Sequence, residues 1–211
     1  MGGPDAPSEL ATVLLALLVC LKGSSCVYQG EELGLTEAEV PFESLQDPYG
    51  IAFWPEFKGR DGCRTPMPWD HASPFAGFSS STPWLPISPT HLSRAVSKQH
   101  ADAKSSLNSV RKFLAWRRTQ LALSKGELKF FDAPYQCLLL TRTFNNQCVI
   151  AAFNISSSSA LVDVSSFGSI APLHGHGLPG RLIGSRIELP AYGAFFGLVH
   201  GSSSMIDVTE Q

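Results

Sequence analysis

A chain of 211 residues with 44% hydrophobic and 16% charged residues has the composition of a globular protein with its own core, not of a disordered segment. Its 16 Lys and Arg nearly balance 18 Asp and Glu, leaving a net charge of −2, and no basic block occurs, so nucleic acid is not an expected partner. Five scattered cysteines, odd in number and with no CxxC pair, form neither a disulfide framework nor a zinc site, and a reducing, cytoplasmic setting follows.

The first element is apolar. Pro7 and Ser8 open a helix that closes at Gly23, with Pro near its start and Gly past its end. Leu10, Val13, Leu14, Leu17, Leu18 and Leu21 form its apolar face, and with almost no polar side it should be covered by other structure. The run "LATVLLALLVCL" is shorter than the ~20 residues that span a bilayer. Asp5 and Glu9 precede or open it, where a signal peptide carries positive charge, so a buried helix is expected rather than a membrane or secretory segment. Asn154-Ile155-Ser156 fits a glycosylation sequon and is taken as chance in a cytoplasmic protein.

"SSCVY" follows as a short buried strand. Helix, strand and then an elaborate loop is the order of an α/β protein with a parallel sheet, although only one such unit is visible. From Gly34 to about Pro89 the chain is irregular and rich in Pro, Gly, Ser and aromatic residues. Loops much longer than about 15 residues are usually functional. A helical stretch from about His91 to Leu123 places Leu107, Val110, Leu114 and Leu121 on one face. Arg111, Lys112, Arg117 and Arg118 fall mostly on the other, as a solvated face. Next come strands in "ELKFF", "CLLLTRTF" and "CVIAAFNI", the last two joined by an Asn145-Asn146 turn. Further strands are expected near Leu161–Val164, Arg186–Leu189 and Ala194–Val199, as a small antiparallel sandwich or barrel-like domain.

The segments "YQGEELGL", "DPYGIAFWPEFKGRDGCRTPMPWD", "AGFSSSTPWLPI", "AVSKQHADAKSSLNSVRKFLAWRR" and "LPAYGAFF" occur in this order. Together they resemble the α-glucosidases of glycoside hydrolase family 13, the α-amylase clan, in the oligo-1,6-glucosidase and bacterial α-glucosidase branch. Lys22, where Arg is common, and Ala95, where Asn is common, are mild departures. The resemblance implies α/β plus β architecture. Residues 1–124 would be the last part of a (β/α)8 barrel, with the seventh helix, the eighth strand at Ser25–Tyr28 and the eighth-helix region. The loop 34–89 would lie on the active-site face, and 125–211 would be a C-terminal antiparallel β-sandwich-like domain. It implies hydrolysis of terminal α-linked glucose from maltose- or isomaltose-like oligosaccharides, no cofactor, no metal, no membrane and a monomer.

Retaining glycosidases need two carboxyl groups ~5 Å apart. In the family these come from earlier barrel strands, and a third, stabilising aspartate sits in an Asn-His-Asp motif that this chain lacks. The resemblance therefore implies that no catalytic residue is present and that the chain alone is inactive. Residues from about 125 onward would be its stable core, while the first helix and strand would present apolar surface. The rival reading is a stand-alone, non-enzymatic β module binding carbohydrate or a protein.

Arg64 and Arg60 are the candidate substrate-binding residues. By resemblance the Arg of "RTPM", Arg64, hydrogen-bonds hydroxyls of bound glucose, and a planar guanidinium suits two neighbouring sugar oxygens. The alternative is an Arg64 paired with Asp61 or Asp70 to brace the loop, and Arg60 is assigned mainly to bracing. Glu31 and Glu32 are adjacent, so in an extended segment they face opposite ways and do not make a catalytic pair. They are assigned with Gln29 to the end of a barrel strand. Glu37, Glu39 and Glu43 are candidates for a pocket rim or ordinary exposed acids. Trp54, Trp69 and Trp84 suit sugar stacking, yet each adjoins a Pro, which favours buried anchoring. His174 and His176 in "HGHG" are read as a surface turn rather than a metal site.

Overall fold

The computed structural model describes residues 6–200. They separate into two compact units, one of residues 6–11 with 27–108 and the other of 12–26 with 109–200.

The first unit contains little regular structure. It holds the start of helix α1 (Ser8–Cys20), α2 (Pro48–Ala52), α3 (Pro89–Leu92), α4 (Val96–Ala101) and the start of α5 (Ser106–Arg118). Four short 3-10 turns punctuate the loop between α1 and α3: Glu31–Leu33, Phe42–Ser44, Asp61–Cys63 and Pro74–Gly77. Two small apolar clusters hold it, Leu33, Met67 and Leu107 in one and Val40, Leu45 and Leu85 in the other. Polar side chains supply the rest of the order. Gln99 is buried; its Nε2 donates to the Leu33 and Arg94 carbonyls at 2.8 and 3.0 Å, and its Oε1 accepts from the Leu107 N–H at 2.9 Å. Arg94 donates to the carbonyls of Gly34 and Ala6. A segment that cannot pair its backbone in ladders must satisfy it this way.

The expected strand at "SSCVY" does not form. Residues 24–28 are exposed and carry no ladder, and the Glu31–Leu33 turn follows, flanked by Gly30 and Gly34 in left-handed conformation. A barrel strand exists through hydrogen bonds to neighbours, and none of the described strands lies beside this segment. The single helical stretch expected from His91 to Leu123 is divided into α3, α4, α5 and α6 (Leu121–Lys125).

The second unit is mainly β. Strands β1 (Glu127–Phe131), β2 (Cys137–Phe144), β3 (Gln147–Asn154), β8 (Ala194–His200) and β5 (Ser169–Pro172) form one antiparallel sheet in that order. Strands β4 (Ala160–Asp163), β7 (Arg186–Leu189) and β6 (Arg181–Ile183) form a second antiparallel sheet. The β2–β3 hairpin closes at the Phe144–Gln147 pair through Asn145 and Asn146, with Asn145 at φ 51°, the conformation a two-residue turn requires. The two sheets share a core of Leu139, Ile150, Ala152, Val162, Ile187, Leu189, Phe195 and Val199. Central strand β3 is buried from Val149 to Asn154, as its continuous apolar run demands, because Phe153 also packs on Phe196, which meets Phe113 and Trp116 of α5.

Helix α1 matches its expected span within a few residues, but its buried residues are Thr12, Val13, Leu15, Ala16, Val19 and Cys20, not the leucine face. A helix apolar on every side does not select its own buried face. Its last turn carries no basic residue. Arg142, fully buried on β2, donates to the carbonyls of Cys20 and Leu21 and to Gly126, and Arg117 donates to Val19 at 2.6 Å and to Leu123 at 3.2 Å. These cations satisfy the orphan carbonyls of the helix end. Arg117 is therefore a half-buried tether, not a member of a solvated face.

Candidate functional site

The loop "GRDGCRTPMPWD" folds around carboxylates. Asp47 precedes Pro48 and caps α2, its Oδ1 accepting from the Tyr49 N–H at 3.0 Å. Its Oδ2 accepts from the Arg60 N–H at 3.0 Å and lies 3.4 Å from Arg64 Nη1. Burial works to raise its pKa, but the N–H donors of Arg60, Tyr49 and Gly50 and the Arg64 guanidinium outweigh it and hold the carboxyl below the ordinary range. Asp61 is completely buried and accepts at Oδ2 from the N–H groups of Gln46 and Asp47 at 2.6 and 2.7 Å. Its Oδ1 lies 3.8 Å from Arg64 Nη1.

Arg64 thus pairs with Asp47 and Asp61, while Asp70 lies elsewhere in the hydrogen-bond network. Asp70 accepts from Ser73, Ala72 and Ser97, and these donors, Ser73 first, lower its pKa. The Arg64 side chain is 38% exposed, and its Nε and Nη2 meet no acceptor among the described residues. Arg60 takes part through its backbone, and its side chain is exposed.

Two glycines make the turn feasible. Gly59 has φ +74°, and a Cβ there would lie 2.9 Å from Asp47 Cβ. A Cβ on Gly62 would lie 2.4 Å from the Ala38 carbonyl oxygen, so only hydrogen fits. Behind the loop, buried His91 bridges Thr65 Oγ1 at 3.4 Å and the Thr36 carbonyl at 2.8 Å. Burial lowers the His91 pKa, which keeps the ring neutral with one nitrogen donating to Thr36. Gln29 donates to the Thr65 carbonyl at 3.4 Å.

The family model described as alpha amylase, catalytic domain, matches residues 4–126. The chain belongs to this family. It is 49% identical over 186 residues to a probable alpha-glucosidase of Rhizobium meliloti, covering 88% of this chain and 33% of that protein. It is 31% identical over 171 residues to the oligo-1,6-glucosidase of Parageobacillus thermoglucosidasius, covering 72% of this chain and 30% of that protein. The chain therefore spans about a third of the length of these curated relatives. Among solved structures, the alpha-glucosyl transfer enzyme XgtA superposes with a TM-score of 0.89 at 46% identity, over 94% of this chain and 37% of that one. The trehalulose synthase MutB of Pseudomonas mesoacidophila MX-45 superposes with a TM-score of 0.80 at 21% identity, over 92% of this chain and 39% of that one, a likeness of fold alone. The fold is that of the α-amylase family's TIM-barrel enzymes, covered in part.

The other candidates in this α-amylase-family chain fall into plainer roles. Glu31 and Glu32 accept from the N–H groups of Tyr28 and Gly30 and so brace their own turn. Glu39 forms an exposed ion pair with Lys58 at 2.6 Å, and Glu43 is exposed. The Cγ of Glu37 lies close above Gly62. Trp54, Trp69 and Trp84 are not buried anchors: Trp69 and Trp84 are more than half exposed, and Trp54 rests against Phe42. Proline neighbours fix the backbone there without enclosing the ring.

His176 is not a surface turn residue. It is 7% exposed and packs edge-on against Trp116 and Phe196. Its Nδ1 accepts from the Leu178 N–H at 3.2 Å. Burial pushes its pKa down to about 4, against the opposing hydrogen bond with the Leu173 backbone. With Lys112, His174 and Arg181 it lines a cleft of about 480 Å³ in the second unit. The five cysteines are free thiols, and among the described residues no helix is long and apolar enough to cross a membrane.

Sequence reading missed Asp47, His91 and Gln99. Asp47 carried a usable signal, an Asp directly before Pro at a helix start. The two long-range bridging side chains carried none, because their partners lie 55 and 66 residues away.

Proposed function

We propose that this chain supplies one wall of the glucose pocket of an α-glucoside-cleaving enzyme acting on maltose- or isomaltose-like oligosaccharides. The observation that carries the reading is Arg64, a guanidinium clasped by two carboxylates on one side with Nε and Nη2 unmatched. A fixed guanidinium with unused donors recognises adjacent sugar hydroxyls. Arg60, exposed beside it, is at most an auxiliary contact. The relatives are named a probable alpha-glucosidase and an alpha-glucosyl transfer enzyme, and a contact to a glucosyl group fits both names.

In this reading residues 1–124 belong to the barrel and 125–211 form a C-terminal β domain. The nucleophilic Asp, the acid/base Glu and the stabilising Asp lie outside this chain, which acts as a cytoplasmic monomer without a cofactor. The purified 211-residue chain should release no nitrophenol from p-nitrophenyl α-glucoside. Release that disappears in Arg64→Ala would overturn the inactive reading. Isothermal titration of the chain with maltose and isomaltose separates this reading from the stand-alone module: absence of binding supports a pocket wall that lacks its other walls, and clear binding by the chain alone supports the module instead.

A further inference from the structure

The Asp47–Asp70 loop holds a feature that tying the backbone does not require. The two oxygens of buried Asp61 have different surroundings. Oδ2 accepts from two backbone N–H groups, at 2.6 and 2.7 Å. Oδ1 has no hydrogen-bond partner, and among the described residues it is the single buried side-chain polar atom in that state. A buried carboxylate oxygen without a donor is costly. If Asp61 only held residues 46 and 47, asparagine would serve, since its amide oxygen accepts both N–H groups without burying a charge.

The position of Arg64 accounts for the second oxygen. Nη1 lies between two carboxylates, 3.4 Å from Asp47 Oδ2 and 3.8 Å from Asp61 Oδ1. The longer contact is outside hydrogen-bond range, but Coulomb attraction falls only with the inverse of distance and persists where water is excluded. We propose that Asp61 is a positioning residue for Arg64. Its partnerless oxygen holds the guanidinium against Asp47 by charge and so sets the direction in which Nε and Nη2 meet a sugar. The proposal rests on reading Arg64 as a glucose contact, but the hold itself is measurable without sugar.

The experiment uses the isotopically labelled 211-residue chain and the Arg64 side-chain NMR signals. Rotation about the Arg64 Nε–Cζ bond should be slow in the wild-type chain and about two- to fivefold faster in Asp61→Asn, the loss expected for one partly exposed ion pair. The backbone N–H groups of Gln46 and Asp47 should stay protected from exchange in Asp61→Asn, because Asn keeps their acceptor. A purely structural Asp61 would leave Arg64 rotation unchanged, and that result overturns the proposal. So does wild-type Arg64 rotating as fast as exposed Arg118, a comparison that needs no variant to fold. Titration with D-glucose is read separately. Rotation that responds to Asp61→Asn supports the hold with or without a response to D-glucose, since this chain carries one wall of the pocket.

Discussion

Protonation of His176 should set the pH limit of the second unit. The perturbation is a fall in pH from 7 to 4.5. In the folded chain the ring is enclosed by Trp116 and Phe196, and burial lowers its pKa from 6.5 to about 4, with His174 and Lys112 adding repulsion. A depressed histidine binds fewer protons folded than unfolded between these two values, so stability rises with pH across that window. The contribution is complete above about pH 6.5 and is lost as pH falls toward 4. A depression of this size corresponds to about 3 kcal/mol when fully lost and to about 2 kcal/mol by pH 5. Hydrogen-bonded carboxylates are little involved: exposed Asp163, lowered by the Ser165 N–H and hydroxyl, protonates at more acid pH. The assay is urea unfolding followed by Trp116 emission, with Trp54, Trp69 and Trp84 replaced by Phe. His176→Phe should be less stable than wild type at pH 7, having lost the hydrogen bonds to Leu178 and Leu173, but nearly flat from pH 6.5 to 4.5. Equal pH slopes for the two proteins, or an NMR titration of the folded His176 ring near 6.5, would refute the reasoning.

Other expectations follow from single contacts. Arg142→Met removes every side-chain donor to the buried carbonyls of Cys20, Leu21 and Gly126, and should destabilise the second unit by about 3 kcal/mol or more by urea titration, with Arg142→Lys intermediate. Gly59→Ala adds a Cβ 2.9 Å from Asp47 at φ +74° and should cost more than about 1 kcal/mol, seen as faster exchange of the Tyr49 and Arg60 amides. Exposed Cys26 and Cys63 should alkylate rapidly in the native chain, whereas buried Cys20, its thiol pushed up to about 12, should react only on unfolding, as peptide mass mapping will show. Limited proteolysis should spare the β strands and cut residues 24–28 first, since that segment is exposed and unladdered.

The strands were legible because their signals are local. "ELKFF", "CLLLTRTF" and the run through Phe153 each carry strand composition, and Asn145-Asn146 marks the turn between the last two. Strands β5 and β6 were not legible: "SIAP" ends in Pro172 and "RLI" directly follows Pro179-Gly180, so both read as loop and owe their pairing to β8 and β7. The same reasoning covers "SSCVY", which reads as a strand by composition and lacks the neighbours that would make it one. In the leucine-rich helix the element was legible and its buried face was not, because hydrophobicity is spread around the axis. Arg142 and Arg117 tie down the end of that helix from more than 95 residues away, a contact no local pattern announces.

The candidate site divides in the same way. Motif likeness pointed to Arg64, and its chemistry alone would have allowed a brace or a ligand contact. The geometry joins these alternatives. Bracing by Asp47 and Asp61 engages Nη1 only, and an arginine fixed at one nitrogen presents the other two with less conformational freedom to lose on binding. A freely rotating Arg64 would pay side-chain entropy for each sugar hydroxyl it met. In the proposed pocket the brace would make Arg64 a selective donor, and Asp61, which sequence reading offered as the competing explanation, would become part of the same device.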